Sequence, residues 1–310
     1  MGPMRRWVVL LAVLAVGCGN DIADGPSPAP EPVTVALDFT PNPVHAPLYM
    51  AHGLEVRAPG SGPDSLKLVA SGKVDVGVLD IHDLAIAREA GTDVVAVGAL
   101  VGKPLAALIT QRDVRRPREL EGRTVGVSGL PSDPAFVRAI VEHDGGDFDS
   151  IRQVTIGFNA VSRLLTKRVD GVPAFWNAEG VAVKQRGLDV KEFRVEDYGA
   201  PPYPEVVLIT SRATLRERPG DVERAVFKIA DGVAAARADP DEAVRRIAKA
   251  AGTADVALVR AQLNAVLPLF VDGLALDRDV LEQWADFDVK IGLVKERPDV
   301  DQAFDFTFVP

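Results

Sequence analysis

The sequence predicts an α/β protein built from two lobes, and three features of the chain support that prediction. Its 310 residues are about twice the length of a usual single domain. Short apolar segments with strand character alternate with helical segments, a pattern typical of α/β folds with largely parallel sheets. Finally, residues 108–112 (Leu-Ile-Thr-Gln-Arg) and 208–212 (Leu-Ile-Thr-Ser-Arg) are near-copies of each other.

These near-copies define the expected division into lobes. If both are strands that cross between lobes, the chain leaves lobe 1 through the first and returns through the second. Lobe 1 then comprises residues 33–110 and 209–310, and lobe 2 comprises residues 111–208. The alternative is a chance similarity between two common strand-to-loop sequences. Two lobes joined by a two-strand hinge form a cleft that closes on a ligand.

Each predicted strand is a short apolar run bounded by turn residues. The strand at 33–37 precedes a loop rich in Pro and Asn, and the strand at 74–79 follows the end of a helix at 66–71. The remaining strands are predicted at 94–100, 105–110, 124–127, 154–156, 171–175 and 206–210.

The predicted helices have apolar residues at helical spacing, with Asp at several beginnings and Gly or Pro at several ends. Between the strands they lie at 83–90, 134–142 and 161–167. After the last strand the pattern is helical through Val294, with segments at 221–238, 241–251, 255–266 and 277–291.

The first residues have the pattern of an export signal. Arg5 and Arg6 precede an apolar run at 7–16 that is too short to span a bilayer as a mature helix. The run leads into Leu-Ala-Val-Gly-Cys, which resembles a bacterial lipobox. We therefore expect a lipoprotein signal peptide at 1–17 and a lipid on Cys18 that anchors the exported chain to the extracytoplasmic face of a membrane. An ordinary secretory signal with an incidental Cys is the alternative.

Composition limits the partners and cofactors. Residues 18–32 contain alternating prolines and are expected to form an extended tether without a core. The net charge of -9 argues against nucleic acid, which requires a basic surface. Cys18 is the only cysteine, so neither an internal disulfide nor a Cys/His zinc cluster is possible, and no metal or cofactor is expected.

The stretch 171–180 combines groups that suit a flat, nitrogen-rich ligand. Phe175 and Trp176 supply aromatic faces, and Asn177 and Glu179 supply groups for hydrogen bonds at the ring edge. The alternative is a core aromatic pair beside a helix N-cap Asn.

Four blocks in the same order resemble the NMT1/THI5-like solute-binding proteins, over residues 33–310. The blocks are Asp-Phe-Thr-Pro-Asn-Pro-Val-His-Ala-Pro-Leu-Tyr at 38–49 and the segments 65–77, 175–180 and 197–205. The resemblance is strongest to bacterial pyrimidine-precursor binders of thiamine-salvage ABC transporters. It implies a monomer with the type II periplasmic-binding-protein fold, which binds hydroxymethylpyrimidine or formylaminopyrimidine and passes it to an ABC permease with its ATPase.

The resemblance also implies a set of ligand-binding residues. An aminopyrimidine offers a π-face for stacking, an amine for a carboxylate such as Glu205 or Asp38, and ring nitrogens for an amide or hydroxyl donor. Asn42 shaping a turn, His45 acting behind the ligand contacts and Tyr49 lying in the core are alternatives. The implied residues are Asp38, Asn42, His45 and Tyr49 from lobe 1, Trp176, Asn177 and Glu179 from lobe 2, and Tyr198, Tyr203 and Glu205 near the return crossing.

Several departures from the family pattern leave the ligand open. Phe39 stands where relatives have Trp, Ala178 stands where Tyr is frequent, and the segment after Met50 is short. Residues 80–82 (Asp-Ile-His) replace a Tyr-Gln-Pro run. A wider pocket would suit riboflavin or another heteroaromatic compound. An alkylsulfonate such as taurine is a further alternative, which acidic residues such as Asp133 disfavour.

The family also contains eukaryotic pyrimidine synthases, and His45 matches the position of their active-site His. Those enzymes require a Schiff-base Lys and a Cys-rich iron site. This chain has no Lys between Val33 and Lys67, and its only Cys is Cys18. We therefore expect a binding protein and not an enzyme.

Overall fold

Two five-stranded sheets form the framework of the protein. The computed structural model describes residues 2, 32–60, 64–130 and 132–309. The predicted signal peptide (1–17), the lipidation of Cys18 and the tether (18–32) lie outside the described residues, apart from positions 2 and 32. Within the described ranges, no helix has the length and apolar character needed to cross a membrane.

The strands and helices occur mostly where the sequence predicts them. The strands are β1 Val33–Ala36, β2 Leu54–Arg57, β3 Val76–Asp80, β4 Val94–Val101, β5 Ala106–Gln111, β6 Thr124–Val127, β7 Arg152–Thr155, β8 Gly171–Phe175, β9 Val190–Arg194 and β10 Val206–Ser211. The helices are α1 Ala46–Met50, α2 Ser65–Ala70, α3 Ile81–Glu89, α4 Asp133–His143, α5 Ala160–Leu165, α6 Val181–Gln185, α7 Arg212–Glu217, α8 Pro219–Ala238, α9 Pro240–Ala250, α10 Val256–Val266, α11 Arg278–Lys290 and α12 Val300–Ala303.

The two sheets have the same internal arrangement. The first has the order β2-β1-β3-β10-β4 and the second has the order β7-β6-β8-β5-β9. In each sheet the first three strands pair in parallel, whereas the fourth strand is antiparallel to both neighbours. The expectation of largely parallel sheets is therefore wrong for the fourth strand. A strand that arrives from the other half of the chain by a short crossing needs no helical crossover and enters in the opposite direction.

The near-copies 108–112 and 208–212 belong to these two fourth strands. Within the described part of the chain, β5 pairs with β8 and β9 alone, and β10 pairs with β3 and β4 alone. The similarity thus corresponds to equivalent positions in two sheets. The expected lobe boundaries at 110/111 and 208/209 fall inside these strands, and the chain passes between the sheets before β5 and before β10. Movement of the two halves about these crossings stays a prediction.

The crossings are joined to each other by a carboxylate. Glu205, just before β10, is fully buried, and its Oε2 accepts hydrogen bonds from the backbone N–H of Leu105 at 2.5 Å and of Ala106 at 3.3 Å. The backbone N–H of Trp176 donates to the Leu105 carbonyl at 3.0 Å. The return crossing therefore fixes the path of the outgoing one.

Helix packing positions the loop that follows β1. α1 lies against α8, where Gly232 is buried. A Cβ at position 232 would clash with the carbonyl oxygen of Pro47. Because glycine permits this close approach, α1 holds the end of the 38–45 loop against the body of lobe 1.

Candidate ligand-binding site

A cavity of about 600 Å³ lies between the two sheets and is lined by residues from both. Its walls come from the segments that follow β1, β3, β6, β7 and β8. These are the carboxyl ends of parallel strands, where open α/β sheets bind their ligands. The polar lining includes Asp38, Asn42, His45, Asp80, Asp83, Ser128, Ser132, Asp133 and Glu179.

On the lobe 1 wall, a short network fixes Asp38. The Asn42 backbone N–H donates to His45 Nδ1 at 3.3 Å, and His45 Nε2 lies 2.8 Å from Asp38 Oδ1. Because Nδ1 accepts, the proton is assigned to Nε2, which donates to Asp38. His45 is buried and has both ring nitrogens engaged, so it positions Asp38. The second carboxylate oxygen of Asp38 remains outside this network.

Asn42 shapes the turn that carries this network. Its Oδ1 accepts from the Val44 N–H at 2.9 Å, and its Nδ2 donates to the Thr40 carbonyl at 3.1 Å. Both ends of the amide therefore hold the loop at the start of the helical segment. Asn42 also lines the cavity. It therefore both shapes the turn and lies at the candidate site.

Buried carboxyl groups follow β3. Asp80 caps α3 by accepting from the His82 N–H at 2.8 Å, and burial followed by the charge of Glu205 raises the pKa of Asp80 well above its usual value. Asp83 accepts from the Ser132 N–H of lobe 2 at 3.3 Å. Burial is the main cause that raises the pKa of Asp83 to about 7, and its Oδ2 has no hydrogen-bond partner among the described residues.

His82 lies behind the cavity wall. Its Nδ1 is 2.5 Å from Asp288 Oδ1 on α11, and both side chains are fully buried. Burial acts to lower the pKa of His82, but the Asp288 carboxylate opposes it and the net shift is upward. The ring also packs edge-on against Phe136 and Tyr203, so His82 ties α3 to α4, α11 and the return crossing.

Lobe 2 contributes Glu179 through a π-helical turn at Trp176–Gly180. Burial raises the pKa of Glu179, and its Oε2 accepts from the Phe175 N–H at 3.3 Å. Asn177, in the same turn, is fully buried without a described partner for either amide atom, and it does not line the cavity.

Apart from Phe175, the aromatic residues expected at the site lie outside the cavity lining. Trp176 donates from Nε1 to the Pro104 carbonyl at 3.3 Å, and the Arg194 guanidinium lies 4.0 Å from its ring centroid. Tyr203 is fully buried and packs against Phe287. Tyr198 packs edge-on against His143 and Phe193, and Tyr49 is half-buried against the lobe 1 core. The residues outside the cavity lining are thus Tyr49, Trp176, Asn177, Tyr198, Tyr203 and Glu205.

The aromatic walls come from Phe39, Phe136, Phe158 and Phe175, of which Phe136 and Phe158 are not among the residues singled out from the sequence. Phe39 follows β1 and Phe158 follows β7, and their ring centroids are 4.0 Å apart at an interplanar angle of 56°. Phe136 and Phe175 also line the cavity. The available signal was position, because Phe158 lies three residues beyond the carboxyl end of the parallel strand β7.

The cavity is acidic and otherwise mostly apolar. Among the described residues of its lining, the one Lys or Arg is Lys67, whose side chain is exposed. It is outnumbered by the carboxyl groups of Asp38, Asp80, Asp83, Asp133 and Glu179. Such a lining favours a ligand with hydrogen-bond donors or positive charge and disfavours an anion.

Comparison with known proteins identifies a matching family and relatives whose names refer to pyrimidine compounds. The family described as NMT1/THI5 like matches residues 42–243 of the chain. A formylaminopyrimidine-binding protein from Halalkalibacterium halodurans is 32% identical over 250 residues, which cover 76% of this chain and 76% of that protein. A 4-amino-5-hydroxymethyl-2-methylpyrimidine phosphate synthase from Aspergillus parasiticus is 26% identical over 230 residues, which cover 66% of this chain and 67% of that protein.

Among solved structures, the alkanesulfonate-binding protein SsuA from Xanthomonas axonopodis pv. citri, bound to MOPS, superposes with a TM-score of 0.71. The two sequences are 16% identical, and the alignment covers 90% of this chain and 99% of that one. At this identity the similarity concerns the fold, and it confirms the predicted two-lobed α/β architecture of type II periplasmic binding proteins. The match over residues 42–243, together with the relative at 32% identity, establishes that the chain belongs to the NMT1/THI5-like family.

Proposed function

We propose that this protein binds a thiamine pyrimidine precursor, either hydroxymethylpyrimidine or formylaminopyrimidine, in the cavity between its lobes. The observation that carries the proposal is the acidic, aromatic wall, where Asp38 and Glu179 come from different lobes. The name of the relative from Halalkalibacterium halodurans agrees with this ligand class.

The carboxylates match the polar edge of an aminopyrimidine. Asp38 Oδ1 is engaged by His45, so Oδ2 is the atom that accepts from the exocyclic amine. Glu179 is the acceptor from the opposite lobe, and a ligand that bonds to both side chains favours the closed arrangement. Glu205, expected to accept the amine, already accepts from Leu105 and Ala106. We therefore assign Glu205 a structural role, which is to hold the two crossings together.

The ring faces match the phenylalanine side chains. Phe39 and Phe158 lie on opposite lobes, and an aromatic ligand packs favourably against such rings in offset or edge-on geometry. This replaces the proposed stacking role of Trp176, whose indole contacts Arg194 and Pro104.

A binding role is favoured over catalysis by the state of His45. Both of its ring nitrogens are engaged within the protein, by Asp38 and by the Asn42 N–H. A general base requires a free nitrogen within reach of the substrate proton. Because a relative is named as a synthase, catalytic activity should be assayed as well as binding.

We further propose that the chain is the exported, monomeric component of an ABC importer and is anchored by a lipid on Cys18. The lipobox-like segment and the fold shared with a periplasmic aliphatic sulphonate binding protein from Escherichia coli support export. Closure on the ligand would present the closed form to the permease and ATPase.

The test is a thermal-shift screen of the mature chain against hydroxymethylpyrimidine, formylaminopyrimidine, thiamine, riboflavin and taurine. A ligand at a hundred times its dissociation constant stabilises the folded protein by about 2.7 kcal/mol, which is readily measured as a rise in Tm. We expect a rise with one or both pyrimidines. A rise with taurine alone would refute the proposal, and a rise with riboflavin alone would replace it with the larger heteroaromatic class. Formation of a pyrimidine phosphate by the protein would refute the non-catalytic assignment.

A further inference from the structure

The turn that carries Glu179 has an uncommon geometry. Residues Trp176–Gly180 form a π-helical turn, a conformation that is rare and often lies at functional sites. In this turn Asn177 is fully buried, yet neither of its amide atoms has a hydrogen-bond partner among the described residues. Burial of an unpaired amide costs free energy. Contacts from outside the turn must therefore hold it in this conformation.

Two hydrogen bonds hold the beginning of the turn against the outgoing crossing. The backbone N–H of Trp176 donates to the carbonyl of Leu105, and its Nε1 donates to the carbonyl of Pro104. These bonds fix the first residue of the turn. They leave the direction of the Glu179 side chain, three residues later, to other contacts.

A further hydrogen bond reaches the middle of the turn from the other lobe. Gln262 on α10 donates from Nε2 to the carbonyl oxygen of Ala178 at 2.8 Å, in a partly buried position. The same oxygen accepts from the backbone N–H of Val181, so both of its lone pairs are used. Because Ala178 directly precedes Glu179, the bond from Gln262 fixes the peptide unit that joins these two residues.

The helix that supplies this donor is firmly part of lobe 1. Its side chains Val259, Leu263 and Val266 are buried in the lobe 1 core. The helix also lies against the short 3-10 helix at Pro43–His45, whose histidine bonds to Asp38. One helix of lobe 1 therefore supports the segments that position both proposed acceptor carboxylates, one from each lobe.

We propose that Gln262 is a positioning residue for ligand binding: its bond to the Ala178 carbonyl holds the turn Trp176–Gly180 in the geometry that directs Glu179 into the cavity. Without this bond the turn is free to relax toward α-helical hydrogen bonding, which changes the directions of its side chains. The inference rests on the proposed function, in which Glu179 accepts a hydrogen bond from the ligand.

The test is a double-mutant cycle for ligand affinity, measured by calorimetric titration of the mature chain with hydroxymethylpyrimidine and with formylaminopyrimidine. Gln262→Met removes the donor with little change of size and keeps a good helix former. We expect the affinity to fall about 3- to 10-fold, which corresponds to the loss of one hydrogen bond. In the Glu179→Gln background, which lacks the charge that must be positioned, Gln262→Met should lower the affinity by less than about twofold.

A matched control separates this role from a general effect on helix stability. Gln283 on α11 of lobe 1 is exposed and donates from Nε2 to the carbonyl of Asp279 at 3.1 Å, within a single helix. Gln283→Met removes the same kind of bond without a contact to lobe 2, so it should bind the pyrimidine as the wild-type protein does. The Tm without ligand should be similar in Gln262→Met and Gln283→Met.

The outcomes separate the two proposals. If the wild-type protein binds a pyrimidine and Gln262→Met binds it within about twofold as tightly, the inference is wrong and the proposed function stands. An equal loss of affinity in both backgrounds would also overturn the inference, because Gln262 would then act independently of Glu179. If neither pyrimidine binds the wild-type protein, the proposed function fails and the inference fails with it.

Discussion

Replacing Asp38 by Asn tests the proposed amine contact with almost no change of shape. His45 donates from Nε2, so the amide oxygen of the variant keeps the bond that Asp38 Oδ1 accepts. The amide NH₂ group then occupies the place of Oδ2. A donor therefore meets the ligand amine, which is also a donor, and the negative charge is lost.

The expected magnitude follows from the burial of this carboxylate. Hydrogen bonds to charged groups contribute about 1.5–3 kcal/mol, and the Asp38 side chain is only 16% exposed, so solvent screening is limited. At about 1.4 kcal/mol for each factor of ten, affinity for the pyrimidine should fall about 10- to 100-fold. The Tm without ligand should change little, because the bond to His45 persists.

The assay is calorimetric titration of the wild-type protein and the variant with hydroxymethylpyrimidine or formylaminopyrimidine. Asp197→Asn is the matched control, since Asp197 is exposed and does not line the cavity. It makes the same change of charge and should bind as the wild type does. An Asp38→Asn affinity within about twofold of wild type, with an unchanged Tm, would refute the assignment of the amine to Asp38.

Four further predictions concern other parts of the molecule. In a double-mutant cycle, Phe39→Ala and Phe158→Ala should show a coupling of about 0.5–1.5 kcal/mol in ligand affinity, and additive losses would argue against contact between the rings in the bound state. Because the pKa of Asp83 is raised from 3.8 to about 7, its protonated form stabilises the folded state at low pH. The stability of the wild-type protein therefore decreases as pH rises from about 4 to about 7. Asp83→Asn should show a smaller decrease in Tm over that range, and an unchanged slope would contradict this prediction. Trp176→Ala should lower the free energy of unfolding by more than it lowers the free energy of ligand binding, measured by urea denaturation and calorimetry, and the reverse order would restore its proposed stacking role. Cys18→Ser should move the exported chain from the membrane fraction to the soluble fraction, and continued membrane association would contradict the lipid anchor.

The strands that the sequence analysis missed are both at sheet edges. Among the residues that the structure describes, β2 pairs only with β1, and β9 pairs only with β5. Each combines apolar residues with charged ones, as in Leu-Glu-Val-Arg at Leu54–Arg57, and leaves most of its side chains partly or fully exposed. An edge strand with one open side does not need the apolar run by which the buried strands were recognised.

Part of the candidate site could be predicted from the sequence, because residues that follow a strand are recognisable in it. Asp38, Asn42, His45 and Glu179 lie on the wall, because each comes from a segment at the carboxyl end of a strand. In the turn Trp176–Gly180, successive side chains point in different directions, so Glu179 lines the cavity whereas Trp176 does not. A sequence block fixes which residues are adjacent but not which of them face the ligand.

Near the return crossing, the burial of individual side chains could not be predicted from the sequence. Tyr203 and Glu205 belong to a block that resembles the family, yet both are fully buried, one against His82 and the other on the outgoing crossing. The Phe39–Phe158 pair brings together residues from separate lobes, and such a contact has no local signal in the chain.

The position of β10 in the first sheet makes the two sheets unequal along the chain. All strands of the second sheet lie within one uninterrupted stretch, from Ala106 to Arg194. The first sheet begins earlier but places β10 between β3 and β4, which do not pair with each other. During synthesis from the N-terminus, the last strand of lobe 2 therefore emerges before the strand that joins the two parts of lobe 1. In evolutionary terms lobe 2 has the form of an insertion, and a chain truncated before Val206 would retain a complete second sheet beside a first sheet split in two.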